Sequence, residues 1–354
     1  MTSAASQIES QTESLTITRP DDWHVHLRDN PLLPHTVAAT AATFARAIVM
    51  PNLAPPVTTV ELAEGYYQRI VQALPTGMSF EPLMVLYLTA DTSPQEIAAA
   101  AAHPHVHAVK LYPAGATTNS AYGVRDPDAI DHLYAALEEN DLPLLMHGEV
   151  IDPAVDIFDR ERVFIERHLL RIREKFPALR MVLEHITTGD AVQFVLSQPK
   201  NTAATITPQH LMLNRNDLLA GGIRPHNYCL PILKRRTHQE ALRQVITTND
   251  ARFFLGTDSA PHAQHAKETA CGCAGCYSAP AALAFYATVF EECGALQHLE
   301  AFASHHGPDF YRLPRNTETV TLVRQPQTIP EAVDAYGTRI IPWQAGGTIP
   351  WSLA

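Results

Sequence analysis

The sequence predicts an α/β fold, a TIM (β/α)8 barrel. The prediction rests on what alternates, on what is missing, and on where the polar residues fall. Short runs rich in apolar and β-branched residues alternate with longer amphipathic stretches along most of the chain. No glycine-rich dinucleotide fingerprint or phosphate loop follows any of these runs. Histidine, lysine and aspartate close five of them, the strand ends where a closed barrel keeps its chemistry.

In chain order the strand runs are Trp23–Leu27, Ala47–Met50, Leu83–Leu88, Val106–Leu111, Leu144–His147, Met181–His185, Thr202–Thr207 and Phe253–Asp258. Several are continuously apolar, as parallel strands covered on both faces are. Between them the spacing predicts helices over Thr59–Leu74, Ser93–Ala102, Pro127–Glu139, Phe158–Phe176 and Gly189–Leu196. Asp126 followed by Pro127 is a helix start signal, a capping side chain before a proline in the first turn. The alternation implies right-handed βαβ units and a parallel sheet. Alternation alone suits an open doubly wound sheet as well as a closed barrel.

The chain has 354 residues, long enough for two domains, although α/β barrels often use such a length as one. Residues 1–14 read as a polar, disordered leader without the basic start and apolar core of a signal peptide. Residues 15–354 read as one barrel domain with a short irregular C-terminal extension, which includes a strand-like run at Val320–Val323. The 26 basic residues against 37 acidic ones leave a formal charge of −11, which argues against a broad nucleic-acid footprint or an anionic membrane surface. Ala279–Phe290 is the longest apolar run, and it is a buried helix too short to span a bilayer. The 5 cysteines make a poor disulfide framework, so the expected location is cytoplasmic with reduced thiols.

The first strand ends His24-Val25-His26, and the strand period of two places both imidazoles on one face, ~7 Å apart along the chain. That spacing suits two ligands of one metal. Lys110 closes the fourth run, His147 the fifth, His185 the sixth and Asp258 the eighth. Each alone has an ordinary reading: a packed histidine, a lysine snorkelling from a strand end, an aspartate capping a helix. Together at one barrel mouth they point to a metal centre.

The same residues carry a resemblance. His24-x-His26 with Lys110, His147, His185 and Asp258 resembles the binuclear amidohydrolase superfamily. The match narrows through Asp22-Trp23-His24-Val25-His26-Leu27-Arg28-Asp29, Met50-Pro51-Asn52-Leu53 and Lys110-Leu111-Tyr112-Pro113-Ala114. It continues through His147-Gly148-Glu149-Val150, Glu184-His185-Ile186-Thr187-Thr188, Arg224-Pro225-His226 and Gly256-Thr257-Asp258-Ser259-Ala260-Pro261-His262. These blocks are similar to those of the dihydroorotases of the shorter, monofunctional bacterial and fungal type.

The resemblance implies two Zn2+ per subunit, one held by His24, His26 and Asp258 and the other by His147 and His185. Lys110, carboxylated on its amine, would bridge both, as would a hydroxide. An amine between two dications is favoured in its neutral form, which can take up CO2. Arg28, Asn52 and His262 would hold a ring carboxylate, Arg28 with a fork suited to two oxygens. Leu230 and Ala274 would touch a pyrimidine ring through their main chains. Ala114-Gly115-Ala116-Thr117-Thr118-Asn119 would be a lid from which Thr117 and Thr118 reach the substrate. Asp258 would also carry the proton.

The implied reaction is the reversible cyclisation of N-carbamoyl-L-aspartate to L-dihydroorotate in pyrimidine synthesis, by a homodimer. Two rivals are a hydantoinase- or allantoinase-like cyclic-amide hydrolase and a non-catalytic scaffold. Arg28, Asn52 and His262 speak against the first, and the complete ligand set against the second. Cys271-x-Cys273-x-x-Cys276 has the composition of a zinc knuckle, but the reading preferred here is a reduced, packed loop.

Overall fold

The computed structural model describes residues 13–270 and 272–354. Its centre is a sheet of eight parallel strands in sequential order. They are β2 (Asp21–Val25), β3 (Arg46–Val49), β4 (Glu81–Tyr87), β5 (Val106–Leu111), β6 (Leu144–Met146), β7 (Met181–Leu183), β8 (Thr202–Ile206) and β9 (Phe253–Leu255). All eight predicted runs are present, mostly shortened at the C-terminal end where the chain turns into the rim.

Closure comes from the rim of the first and last strands. Val25 and Ser259 form a parallel bridge, Asp258 N donates to His24 O at 2.8 Å, and His26 N donates to Ser259 O at 3.0 Å. The sheet is therefore a barrel rather than an open sheet.

Alternate side chains divide the core. Ile48, Met50, Leu83, Val85, Ala108, Leu145, Val182, Ala203 and Phe254 fill the barrel interior. Their neighbours Val49, Met84, Leu86, Val109, Leu144 and Met146 face the surrounding helices. The register of β2 on β3 slips between Asp22 and Val25, a bulge that lets Trp23 join the interior beside the inward-facing His24. Trp23 stacks on Tyr311 with ring centroids 4.4 Å apart, and the helix His306–Tyr311 closes that end of the barrel.

The helices depart from expectation in several places. The stretch 127–139 starts as a 3-10 turn, Pro127–Ala129, and becomes α-helix only at Asp131–Glu139, because Ile130 leaves helical angles. The stretch 158–176 is a helix with a π-helical middle: Arg160–Phe164, Ile165–Leu169 and Leu170–Lys175. Helices at Leu33–Ala41 and Arg236–Val245 were not expected.

Of the polar leader, residues 1–12 lie outside the described residues. Only its last residue, Ser14, enters a strand: β1 (Ser14–Thr18), otherwise part of the expected barrel domain, pairs antiparallel with β10 (Thr319–Val323). That pairing, extended by Ser352–Leu353, ties the C-terminal extension to the chain's start. Trp343 and Trp351 are fully buried against the barrel.

Candidate metal centre and substrate pocket

The C-terminal ends of the strands converge on one cleft. It is lined by His24, His26, Arg28, Asn52, Tyr112, Thr117, Thr118, His147, His185, Leu230, Asp258, Ala260, Ala274 and Gly275. Every predicted site residue except Lys110 and His262 lines it, and both of these lie against it.

The imidazoles form a connected arc. Ring centroids are 5.3 Å apart for His24 and His26, 4.9 Å for His24 and His185, and 4.9 Å for His185 and His147. Asp258 Oδ1 lies 3.3 Å from His24 Nε2 and 3.1 Å from His26 Nε2. His24, His26 and Asp258 form one group with metal-ligand spacing, and His24, Glu184 and His185 form another.

His147 uses Nε2 on Glu149 Oε2 at 3.0 Å, which leaves Nδ1 as its free ligand atom and fixes the ring. Glu149 is in turn 3.7 Å from Lys234 Nζ. His185 Nδ1 is buried without a hydrogen-bond partner. A buried orphan nitrogen among three other imidazoles and a carboxylate fits a borderline divalent ion such as zinc.

Burial sets the protonation. It lowers the pKa of His24, His147 and His185, and brings His26 to about 4, so the imidazoles are neutral at pH 7, as ligands must be. For Asp258 burial pushes upward, but the hydrogen bond and charge of His24, with those of His26 and His185, hold it well below the usual carboxylate value.

Lys110 is wholly buried, and its Nζ contacts Glu184 Oε2. Burial lowers its amine well below the ordinary lysine value, which favours the neutral form. Glu184 Oε1 lies 3.0 Å from His24 Nδ1, although the two are not aligned for a hydrogen bond. A second carboxylate, Glu184, therefore stands beside the ligand residues His24 and Lys110. Glu184 sits behind the cleft rather than lining it.

Three site residues adopt left-handed backbone angles: Arg28 at φ 61°, His185 at φ 43° and Asp258 at φ 46°. Such angles cost on the order of 1–3 kcal/mol for residues other than glycine and persist where the surroundings enforce them. At Asp258 the enforcement is visible. Asp22 accepts from Thr257 N at 2.9 Å, Thr257 Oγ1 at 2.6 Å and His24 N at 3.2 Å. Burial raises its carboxyl to about 7 despite these donors.

Arg28 reaches across the mouth. Its Nε donates to Pro261 O at 3.1 Å, and Nη2 lies 2.9 Å from His262 Nε2. The same His262 nitrogen lies 3.0 Å from Ala274 O. One nitrogen cannot accept from Arg28 and donate to a carbonyl at once, so one of these two contacts is left without a hydrogen bond. Burial, with the nearby Arg28 charge, lowers His262 to about 2. Among the described residues no carboxylate forms an ion pair with Arg28.

Asn52 Nδ2 donates to Thr118 O at 3.0 Å, and Asn119 Nδ2 donates back to Asn52 O at 3.0 Å. The predicted lid is therefore seated on Asn52 in this structure. On the opposite wall Lys267, buried, donates to three carbonyls: Tyr228 at 3.2 Å, Cys273 at 2.9 Å and Gly275 at 2.6 Å. These bonds hold the backbone on either side of Ala274. Gly275 has φ 149°, and a Cβ there would sit 2.6 Å from Ala260 O, so the close approach requires glycine. Cys276 is buried and donates to His226 O at 3.5 Å, while Cys273 is partly exposed; Cys271 lies outside the described residues.

Sequence reasoning assigned no role to Glu184, Glu149, Asp22 or Lys267. The first three stand inside the quoted motif blocks, beside the ligands they support, and that adjacency was the available signal. Lys267 had none.

Comparison with known proteins adds to this geometry. The Amidohydrolase family pattern matches residues 20–322. A dihydroorotase of Alcanivorax borkumensis is 64% identical over 342 residues, which cover 97% of this chain and 99% of that protein. One of Idiomarina loihiensis is 63% identical over 341 residues, covering 96% and 99%. The crystal structure of dihydroorotase from Saccharomyces cerevisiae in complex with 5-fluoroorotic acid is 32% identical, with a TM-score of 0.89 over 97% of this chain and 99% of that one. An L-hydantoinase from Arthrobacter aurescens has a TM-score of 0.79 at 14% identity, covering 96% and 83%, a likeness of fold alone.

Proposed function

The chain belongs to the amidohydrolase family and within it to the dihydroorotases, and from that membership we propose how its residues share the reaction. Its activity is that of a metal-dependent hydrolase of a cyclic amide C–N bond, with L-dihydroorotate and N-carbamoyl-L-aspartate on the two sides.

In this reading zinc is the metal. His24, His26 and Asp258 would hold one ion and His147 and His185 the other, with Lys110, carboxylated at Nζ, as a ligand shared by both. The buried orphan nitrogen of His185 and the depressed amine of Lys110 support the assignment. When bound, the ions supply Lewis-acid polarisation of the ring carbonyl and an acidified water.

Asp258 carries the proton in this reading. Its carboxylate is ionised at neutral pH and opens on the cleft. It takes a proton as the amide is attacked and returns it to the departing ring nitrogen. Arg28, Asn52 and His262 hold the substrate carboxylate, the Leu230 and Ala274 main chains hold the ring, and Thr117 and Thr118 exclude water from above.

One observation carries the substrate assignment. Arg28 lines the cleft, no carboxylate among the described residues forms an ion pair with it, and its contact with His262 leaves a shared nitrogen in conflict. A substrate carboxylate accepts from both Arg28 Nη2 and His262 Nε2 and removes the conflict. Uncharged hydantoins offer nothing there. Turnover of dihydroorotate against hydantoin tests this: a preference for the uncharged ring would overturn the assignment.

The reading extends to residues 15–354 working as one unit, to a homodimer by family likeness, and to a cytoplasmic location. Cys229, Cys273, Cys276 and Cys293 as free thiols suit a reducing compartment.

A further inference from the structure

A second cluster of ligand-type side chains lies outside the barrel wall, and the reaction makes no use of it. His103 and His105 flank Pro104 just before β5, and Glu64 stands on the helix Val60–Ala73. One ligand atom from each of the three lies within 4.8 Å of the others. Their side chains are partly exposed, so an ion can reach them from solvent.

The cluster is held in advance of any ligand. His105 stacks on Tyr67, ring centroids 3.7 Å apart and 8° from parallel, and Tyr67 stands one turn after Glu64 on the same helix. Glu64 Oε1 is fixed by Gln68 Nε2 at 2.7 Å. The backbone beneath is pinned on both sides: His103 N donates to Ala100 O at 3.1 Å, and Met84 N donates to His105 O at 2.8 Å. Side chains on such a base give up little rotamer freedom when they bind.

The separations decide between an ordinary hydrogen-bonded pair and an ion site. Glu64 Oε2 is 2.8 Å from His105 Nδ1, a hydrogen bond, but 3.7 Å from His103 Nε2, too far for one. A two-residue hydrogen bond accounts for His105; His103 is held by its edge-on packing against the His105 ring, centroids 5.5 Å apart, and its Nε2 faces the same carboxylate oxygen without a hydrogen bond to it. Ligand atoms at ~2.0–2.2 Å from a tetrahedral ion lie roughly 3.3–3.6 Å from one another, between the two observed distances. One ion therefore reaches both histidines if the Glu64–His105 pair opens by roughly half an ångström or a little more and the Glu64–His103 pair closes by roughly a few tenths. His103 Nδ1 accepts from His105 N at 3.3 Å, and binding through Nε2 moves the proton to Nδ1 and gives up that long bond.

We propose that Glu64, His103 and His105 bind one divalent transition ion of the zinc type, separate from the catalytic centre. Two imidazoles and one carboxylate favour zinc, nickel or copper over magnesium or calcium. Water fills the remaining positions. The ion clips the helix Val60–Ala73 to the segment entering β5.

The test is equilibrium dialysis of the intact holoenzyme against zinc chloride, counting zinc per subunit in wild type, His105→Asn and Glu64→Gln. The wild type is expected to hold one zinc more than either variant, with dihydroorotate turnover equal in all three. His103→Gln serves as a further variant should one of these fold poorly, and it too should lose the extra ion. Equal zinc counts in wild type and variants overturn the proposal, whether the extra ion is absent throughout or sits elsewhere, as on the thiols of the 271–276 loop.

Discussion

Replacing Arg28 by Met separates substrate recognition from folding, because the two should respond with different signs. In the free protein the guanidinium makes a bond to Pro261 O and a conflicted contact with His262, and no carboxylate among the described residues forms an ion pair with it. Burial already lowers its pKa, a mark of a cation kept short of water. Met keeps the apolar stem and removes the charge. The lost bonds cost about 1 kcal/mol, and release of a poorly solvated charge returns a similar amount, so stability toward urea should hold or rise slightly. With substrate bound the same charge faces a carboxylate in a desolvated pocket. Losing such a pair costs ~2–5 kcal/mol, roughly a 30- to 4,000-fold rise in KM. The assays are initial rates of ring opening, zinc content and urea unfolding on the same preparation. A KM within twofold of wild type would refute the carboxylate pocket. A loss of zinc or of stability matching the loss of affinity would make Arg28 a structural residue instead.

Lys110→Ala should lose most bound zinc and nearly all turnover, and short carboxylic acids added in excess should restore part of both; full metal content without additives would refute the bridge. Thr117→Gly with Thr118→Gly should lower turnover about tenfold or more while leaving zinc content intact, since the lost bonds form above the substrate and not at the metals; unchanged turnover removes the loop from the mechanism. The pH profiles should be opposed. Asp258 lies well below the usual carboxylate pKa, so ring opening, which needs it unprotonated, fades as pH falls, while ring closure needs the protonated site and fades as pH rises. Initial rates in both directions check this, and a shared limb would leave Asp258 a ligand only.

How much of this was legible follows from the range of each interaction. The alternation of His24 and His26 is local, and the strand period alone placed them on one face. Lys110, His147 and Asp258 were legible because barrel strands end at one rim, so five separate endings became one site. The helix Arg236–Val245 was not, because it is mostly polar and buries only Leu242 and Val245, so its helical period is carried by charged residues rather than by an apolar run. Glu184 was hidden for the opposite reason. Strand alternation would aim it away from His185, yet the left-handed turn at His185 brings both inward. That turn depends on Thr205 Oγ1, which accepts from His185 N at 2.7 Å from 20 residues away. Asp22 likewise reaches Thr257 across 235 residues. A ligand's identity is written at its own position, but its direction is set by partners across the barrel. The residues hardest to see in the sequence are therefore those that aim the ones easiest to see, and their replacement should disturb metal geometry before it disturbs metal content.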